Sequence, residues 1–306
     1  MSTTDVEVNS GDRNFEGILW MVVTGLCFAA VTGIVRYLGS SLPAVEAAFI
    51  RYFIGVLMMG PVLYRLLNFR PSAKLLGGFA LRGLVHGFGV ILWFYAMARI
   101  PMSEVTAIGF TTPIFVTIGA AIFLGEKLKI HRIASVLIGF IGTLIILRPG
   151  LQEISLGQLS QLAAAPLFAV SFLIAKQLTK HVGADVIVAM LSVMCTLVLL
   201  PGALIDWQTP TISEVFWLAV TAGFATFGHF AITKALQAAP ISVIQPISFL
   251  QLVWATLMGI ALFGEAIDPY VLLGGGIIVI SATYISHRET RGSRKRITPL
   301  VNQTKQ

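Results

Sequence analysis

Charge is scarce in this sequence. Only 11% of its 306 residues are Asp, Glu, Lys or Arg, far below the quarter typical of soluble domains, which excludes an ordinary water-soluble globule. Cysteine is nearly absent: Cys27 and Cys195 stand far apart inside apolar runs, so neither a disulfide framework nor a thiolate metal site is expected. A glycine-rich phosphate loop, a His-Glu-x-x-His segment and paired acidic residues are also missing. An ATP-driven pump or an intramembrane hydrolase therefore lacks its equipment, and no enzyme, cofactor or metal is expected. No basic stretch leads into the first apolar run; residues 1–16 are polar and acidic and read as a cytoplasmic tail, not a cleaved signal. The net charge is +7, but Lys and Arg lie in short stretches between apolar runs, so nucleic acid is not an expected partner.

Apolar residues are abundant, 56% of the chain, with a mean hydropathy of +0.86. A helix needs about 20 apolar residues to cross about 30 Å of hydrocarbon, where nothing else satisfies its backbone. Runs of that kind fall near 17–37, 43–64, 76–98, 103–124, 130–148, 157–178, 184–205, 213–236, 241–263 and 269–287. The expected fold is all-α, with ten transmembrane helices, the lipid bilayer and a small-molecule substrate as partners, and a monomer or homodimer as the assembly. With the N-terminus inside, sixteen of the 21 Lys and Arg fall on the inner side, only Arg36, Arg99 and Arg148 on the outer side, and Arg51 and Arg82 within spans. Basic residues stay on the cytoplasmic side, so both termini are read as cytoplasmic in a bacterial inner membrane. Residues 288–306 form a basic cytoplasmic tail, read as disordered.

The chain repeats itself. A shift of 139 residues pairs Phe88 with Phe227, Gly89 with Gly228, Pro101 with Pro240, Gly125 with Gly264 and Glu126 with Glu265; a shift of 140 pairs Phe28 with Phe168, Arg36 with Lys176 and Pro61 with Pro201. The Pro, Gly and Glu matches at span boundaries carry the inference, because apolar matches arise easily in such a composition. The repeats are 17–148 and 157–287. Five spans each, an odd number, makes the second half enter the membrane upside down. Secondary carriers use such inverted halves, rocking one against the other around a midplane site.

At the boundary between spans four and five, Phe123-Leu-Gly-Glu126 has a counterpart, Phe263-Gly-Glu265, at the end of span nine. With Arg51-Tyr-Phe53, Leu81-Arg-Gly83 and the span starts at Pro101 and Pro240, the chain resembles the drug/metabolite transporter superfamily, EamA type, over roughly residues 17 to 287. The resemblance implies ten helices around a central cavity, with cavity residues from spans one, three, four, six, eight and nine. The stretch from Glu104 to Glu126 and the Leu81-Arg-Gly83 segment further resemble the branch with riboflavin and S-adenosylmethionine importers. The implied function is secondary transport of a small organic metabolite, an amino-acid derivative, S-adenosylmethionine or a riboflavin-like cargo, by alternating access; a multidrug or amino-acid exporter and a passive pore are the alternatives.

Ionisable groups inside a span are costly, so each needs a partner, a cavity or an escape to the interface. Arg82, His86, Gly89 and Trp93 share one stripe of span three. Arg82 either grips an anionic group through its planar fork or snorkels to the interface; Trp93 either stacks on cargo or joins an aromatic belt. On span eight, Thr226, His229, Thr233 and Gln237 share a face, and each histidine either relays a proton or bonds a neighbouring helix. The substrate-binding set is completed by Thr112 on span four and by Gln245, Ser248, Gln251 and Trp254 on span nine, where Thr256 adds a hydroxyl. Arg51, mid-span, requires a counter-charge or carbonyl cage; Glu46 is a poor partner, about 140° round the axis. Glu46, Arg51, Glu126, Glu265, Pro113 and Pro246 form the structural or coupling set, the duplicated glutamates being read as caps on adjacent helix N-termini. Pro113, Pro166 and Pro246 lie inside spans as kinks or packing bends.

Overall fold

The computed structural model describes residues 3–68, 70–112, 114–116, 119, 130–148, 153–239, 244, 247–248 and 250–297. Among these residues the secondary structure is helical, with no strands. The first repeat supplies α1 (Thr3–Leu38), α2 (Ala44–Met58), α3 (Gly60–Arg65), α4 (Ala73–Met97), α5 (Met102–Gly109) and α6 (Ile130–Leu147). The second supplies α7 (Leu156–Leu178), α8 (Ala184–Ile205), α9 (Ile212–Ala238), α10 (Leu250–Phe263) and α11 (Pro269–Ile297). Parts of α1, α4, α7, α8 and α9 are long and apolar enough to cross a membrane; shorter apolar stretches lie in α5, α6, α10 and α11.

Local signals start these helices. Ser72 accepts the Leu75 N–H at the head of α4. Ser155 with Gln158 and Thr211 with Glu214 form capping boxes that open α7 and α9. One expectation is corrected. The single run 43–64 is two helices, interrupted at Met59, because Pro61 lacks an N–H and its ring disfavours a regular turn before it. At the ends, helix α1 begins at Thr3 and α11 continues to Ile297. Pro166 sits within a continuous α7, while Pro113 and Pro246 lie outside the described residues.

The two sets of helices interleave. Helix α1 runs along α9, α4 along α7, α2 along α8 and α6 along α11; α1 also meets α10, and α5 meets both α7 and α10. Exchanging each element with its repeat counterpart returns the same pairs. Membrane helices gain little from burying apolar surface against one another and rely on close packing, which favours small residues at crossings. Helices α6 and α11 cross in that way: a Cβ at Gly142 would lie 2.7 Å from the Gly274 carbonyl oxygen. Gly142→Leu is therefore expected to destabilise the protein by about 1–3 kcal/mol, the usual range for overpacking. Thermal unfolding of the variant in detergent, beside the parent, checks this.

Candidate substrate site

The middle of the bundle holds a polar layer built from both halves. Arg82 of α4 donates from Nη1 to the Ile187 carbonyl at 3.1 Å, bridging to α8. One turn on, His86 shares a hydrogen bond of 3.0 Å between Nδ1 and Ser171 Oγ of α7. The His86 ring is 5.4 Å from that of His229 on α9 and 6.3 Å from Tyr52 on α2. Arg51 places its guanidinium 4.0 Å over the Tyr52 ring. Arg51, Tyr52, Arg82 and His86 are all buried.

The repeat is visible in the packing of this layer. The Phe168 ring lies tilted at 5.2 Å from His86, and its repeat counterpart Phe28 lies edge-on at 5.2 Å from His229. The glycines match as well: a Cβ at Gly89 would come within 3.0 Å of the Phe168 ring, and one at Gly228 within 3.2 Å of the Phe28 ring. Each phenylalanine thus lies between a glycine and a histidine of a helix from the other half. Gly83 allows α8 to approach α4 closely, since a Cβ there would collide with Met194, and Cys195 donates to the Gly83 carbonyl.

Charge in the layer is unbalanced. Among the described residues neither Arg51 nor Arg82 has a carboxylate partner, and Arg82 Nε and the Tyr52 hydroxyl are buried without a hydrogen bond. Glu46 turns away from Arg51; its Oε2 accepts the Gln208 N–H at 2.9 Å. Unpaired buried donors are expensive, and so are guanidinium charges at bilayer depth, unless a ligand meets them.

Two cavities flank the layer along α2. One of about 250 Å3 is lined by Val35, Pro43, Ala47, Phe94, Arg99 and Gln208, at the end where α1 turns into α2. The other, of about 190 Å3, touches Met58, Met59, Asp185, Val188 and Thr226. Arg51 and Tyr52 lie between Ala47 and Met58 in the helix.

The selected residues do not all meet. Arg82, His86 and His229 converge. Trp93 is half-buried against Phe94, ring centroids 5.3 Å apart. Gln251 and Trp254 are half-buried on α10, Thr112 and Ser248 half-buried on the helical turns after α5 and before α10; no described contact joins Gln251 or Trp254 to the histidines. The Thr256 hydroxyl is buried and unpaired, and Thr233 donates to the His229 carbonyl at 2.7 Å. Gln245 and Glu126 lie outside the described residues. Glu265 follows Gly264, whose φ of +63° ends α10, and accepts the Met102 N–H at 3.0 Å while pairing with Arg36 at 3.2 Å. Tyr52, Phe168 and Ser171 were not selected. Tyr52 adjoins Arg51 and Phe168 belongs to the repeat register; a single serine on an apolar helix carries no comparable signal.

Comparison with known proteins adds a context. Residues 15–148 and 155–287 each match the EamA-like transporter family. The chain is 34% identical over 286 residues to a riboflavin transporter of Vibrio cholerae serotype O1, covering 92% of this chain and 96% of that one. It is 29% identical over 289 residues to an S-adenosylmethionine uptake transporter of Rickettsia bellii, covering 92% and 97%. A crystal structure 17% identical in sequence shares the fold, with a TM-score of 0.57 over 94% of this chain and 99% of the other.

Proposed function

Because the chain belongs to the EamA-like transporter family, we propose that it is a secondary carrier for a neutral, planar, acceptor-rich metabolite of the riboflavin class, working by alternating access. It is a multi-pass, all-helical membrane protein. Ten spans in two inverted halves, with both termini cytoplasmic in a bacterial inner membrane, is the topology we propose. The reciprocal packing of the halves supports the inversion, and the one-sided distribution of Lys and Arg supports the orientation.

The observation that carries the cargo reading is the pair of buried guanidinium groups without carboxylates, beside aromatic and imidazole rings. A flavin ring offers carbonyl and ring-nitrogen acceptors on one edge and a face for stacking. S-adenosylmethionine is a poorer fit. Its fixed sulfonium and its ammonium outnumber its carboxylate, and a like charge about 6 Å from a guanidinium costs roughly 3 kcal/mol at an effective dielectric near 20. The riboflavin transporter at 34% identity points the same way.

Proteoliposomes loaded with unlabelled riboflavin test this reading. Labelled riboflavin should enter by counterflow, in a saturable manner, and excess S-adenosylmethionine should leave the flux unchanged. Counterflow of S-adenosylmethionine without counterflow of riboflavin would overturn the assignment.

A further inference from the structure

Near the start of α5, at the end of the bundle where α4 turns into α5 and α6 into α7, three carboxylates meet two guanidinium groups. Glu265 pairs with Arg36 at 3.2 Å. Asp268 pairs with Arg148 at 2.6 Å, and the Arg148 guanidinium also lies over the Tyr270 ring. Glu104 is the carboxylate left over. It is 8% exposed, and among the described residues its partner is an amide, Gln158 Nε2. That amide has a fixed orientation, because Gln158 Oε1 accepts the Ser155 N–H at 2.8 Å in the capping box of α7. The Gln158 NH2 therefore donates to Glu104 Oε1, and the other carboxyl oxygen is left to carry a proton. The charged groups within electrostatic reach of Glu104 are Arg148 at the end of α6, and Glu265 and Asp268 in the α10–α11 connection.

We propose that Glu104 is the coupling site of the carrier, binding one proton in each transport cycle. The inference rests on the reading of the chain as an alternating-access carrier. A proton from water on the outer side, under the proposed orientation, neutralises Glu104 and removes its repulsion with Glu265 and Asp268, so that α5 of the first half and α7 of the second close over bound cargo. Release of that proton to the inner side, after the halves rock, leaves a third negative charge beside Glu265 and Asp268. Like charges held in a poorly solvated cluster repel, and their repulsion reopens the outer end. Glu153, an exposed carboxylate in the α6–α7 connection at this end, stands as the control.

The test uses the full chain in proteoliposomes. With an inward proton gradient, the wild-type protein should accumulate labelled riboflavin above equilibration and lose that accumulation when a protonophore is added. E104Q should keep riboflavin counterflow at equal pH and lose accumulation, whereas E153Q should keep both. Gradient-driven accumulation retained by E104Q, or lost equally in E153Q, overturns the proposal, as does wild-type protein that exchanges riboflavin but never concentrates it. A second readout does not depend on cargo. Infrared difference spectra between acid and alkaline buffers should show a protonated-carboxyl band in the wild type that is lost in E104Q and kept in E104D. Its persistence in E104Q would overturn the proton site even if riboflavin proved not to be the cargo.

Discussion

Arg82→Ala is expected to weaken riboflavin binding by roughly 10- to 150-fold while leaving the thermal stability of the cargo-free protein unchanged or raised. The guanidinium is buried, bonded to the Ile187 carbonyl through Nη1, and unpaired at Nε. A hydrogen bond from a charged donor to cargo contributes about 1.5–3 kcal/mol, and each 1.4 kcal/mol is about a factor of ten in affinity. Truncation also removes a buried charge that has no carboxylate partner among the described residues, a relief that offsets the loss of the bond to α8. The combination separates a binding role from a structural one, because a residue kept for packing would lose stability and leave affinity alone. Arg82→Lys should fall between, since an ammonium keeps the charge and loses the planar fork. Equilibrium dialysis of riboflavin and unfolding curves in detergent give both quantities.

Gly89→Leu and Gly228→Leu should each reduce transport more than about tenfold, by similar factors, each destabilising the fold by about 1–3 kcal/mol as overpacking commonly does. At Gly89 a Cβ would already press on Phe168, and at Gly228 on Cys27 and Phe28. A leucine at either position must push the ring away from His86 or His229. Because the two contacts are repeat counterparts, matched losses are expected; one silent and one severe substitution would show that the halves do not contribute equivalently. Initial rates of riboflavin counterflow at matched reconstitution levels make the comparison.

Much of this arrangement is legible along the chain. The shifts of 139 and 140 residues pair the glycines and phenylalanines that meet at the centre, and the helical stripe of Arg82 and His86 does face the other half. Helical spacing gives which residues share a face, not which helix that face meets, and the difference shows. Trp93 belongs to the same stripe by spacing, yet three turns from Arg82 it lies against Phe94, away from the histidine pair. The layer itself is packed shut by Phe28, Phe168 and Tyr52 rings, where an open hollow was expected. The Glu104–Gln158 contact joins residues 54 apart, and nothing in periodicity marks it. Pro61 marks the break at Met59, although the hydropathy of the run is continuous across it.

Alternating access requires that water reach the layer of Arg82, His86 and His229 from one side and then from the other. Ser171, hydrogen-bonded to His86, is the position to interrogate, as Ser171→Cys in a protein with Cys27 and Cys195 replaced by serine. A membrane-impermeant maleimide applied to oriented vesicles should label this thiol from either face, and riboflavin should slow labelling from both. Labelling from one face alone, or labelling that riboflavin leaves unchanged, would contradict a midplane cargo site exposed alternately.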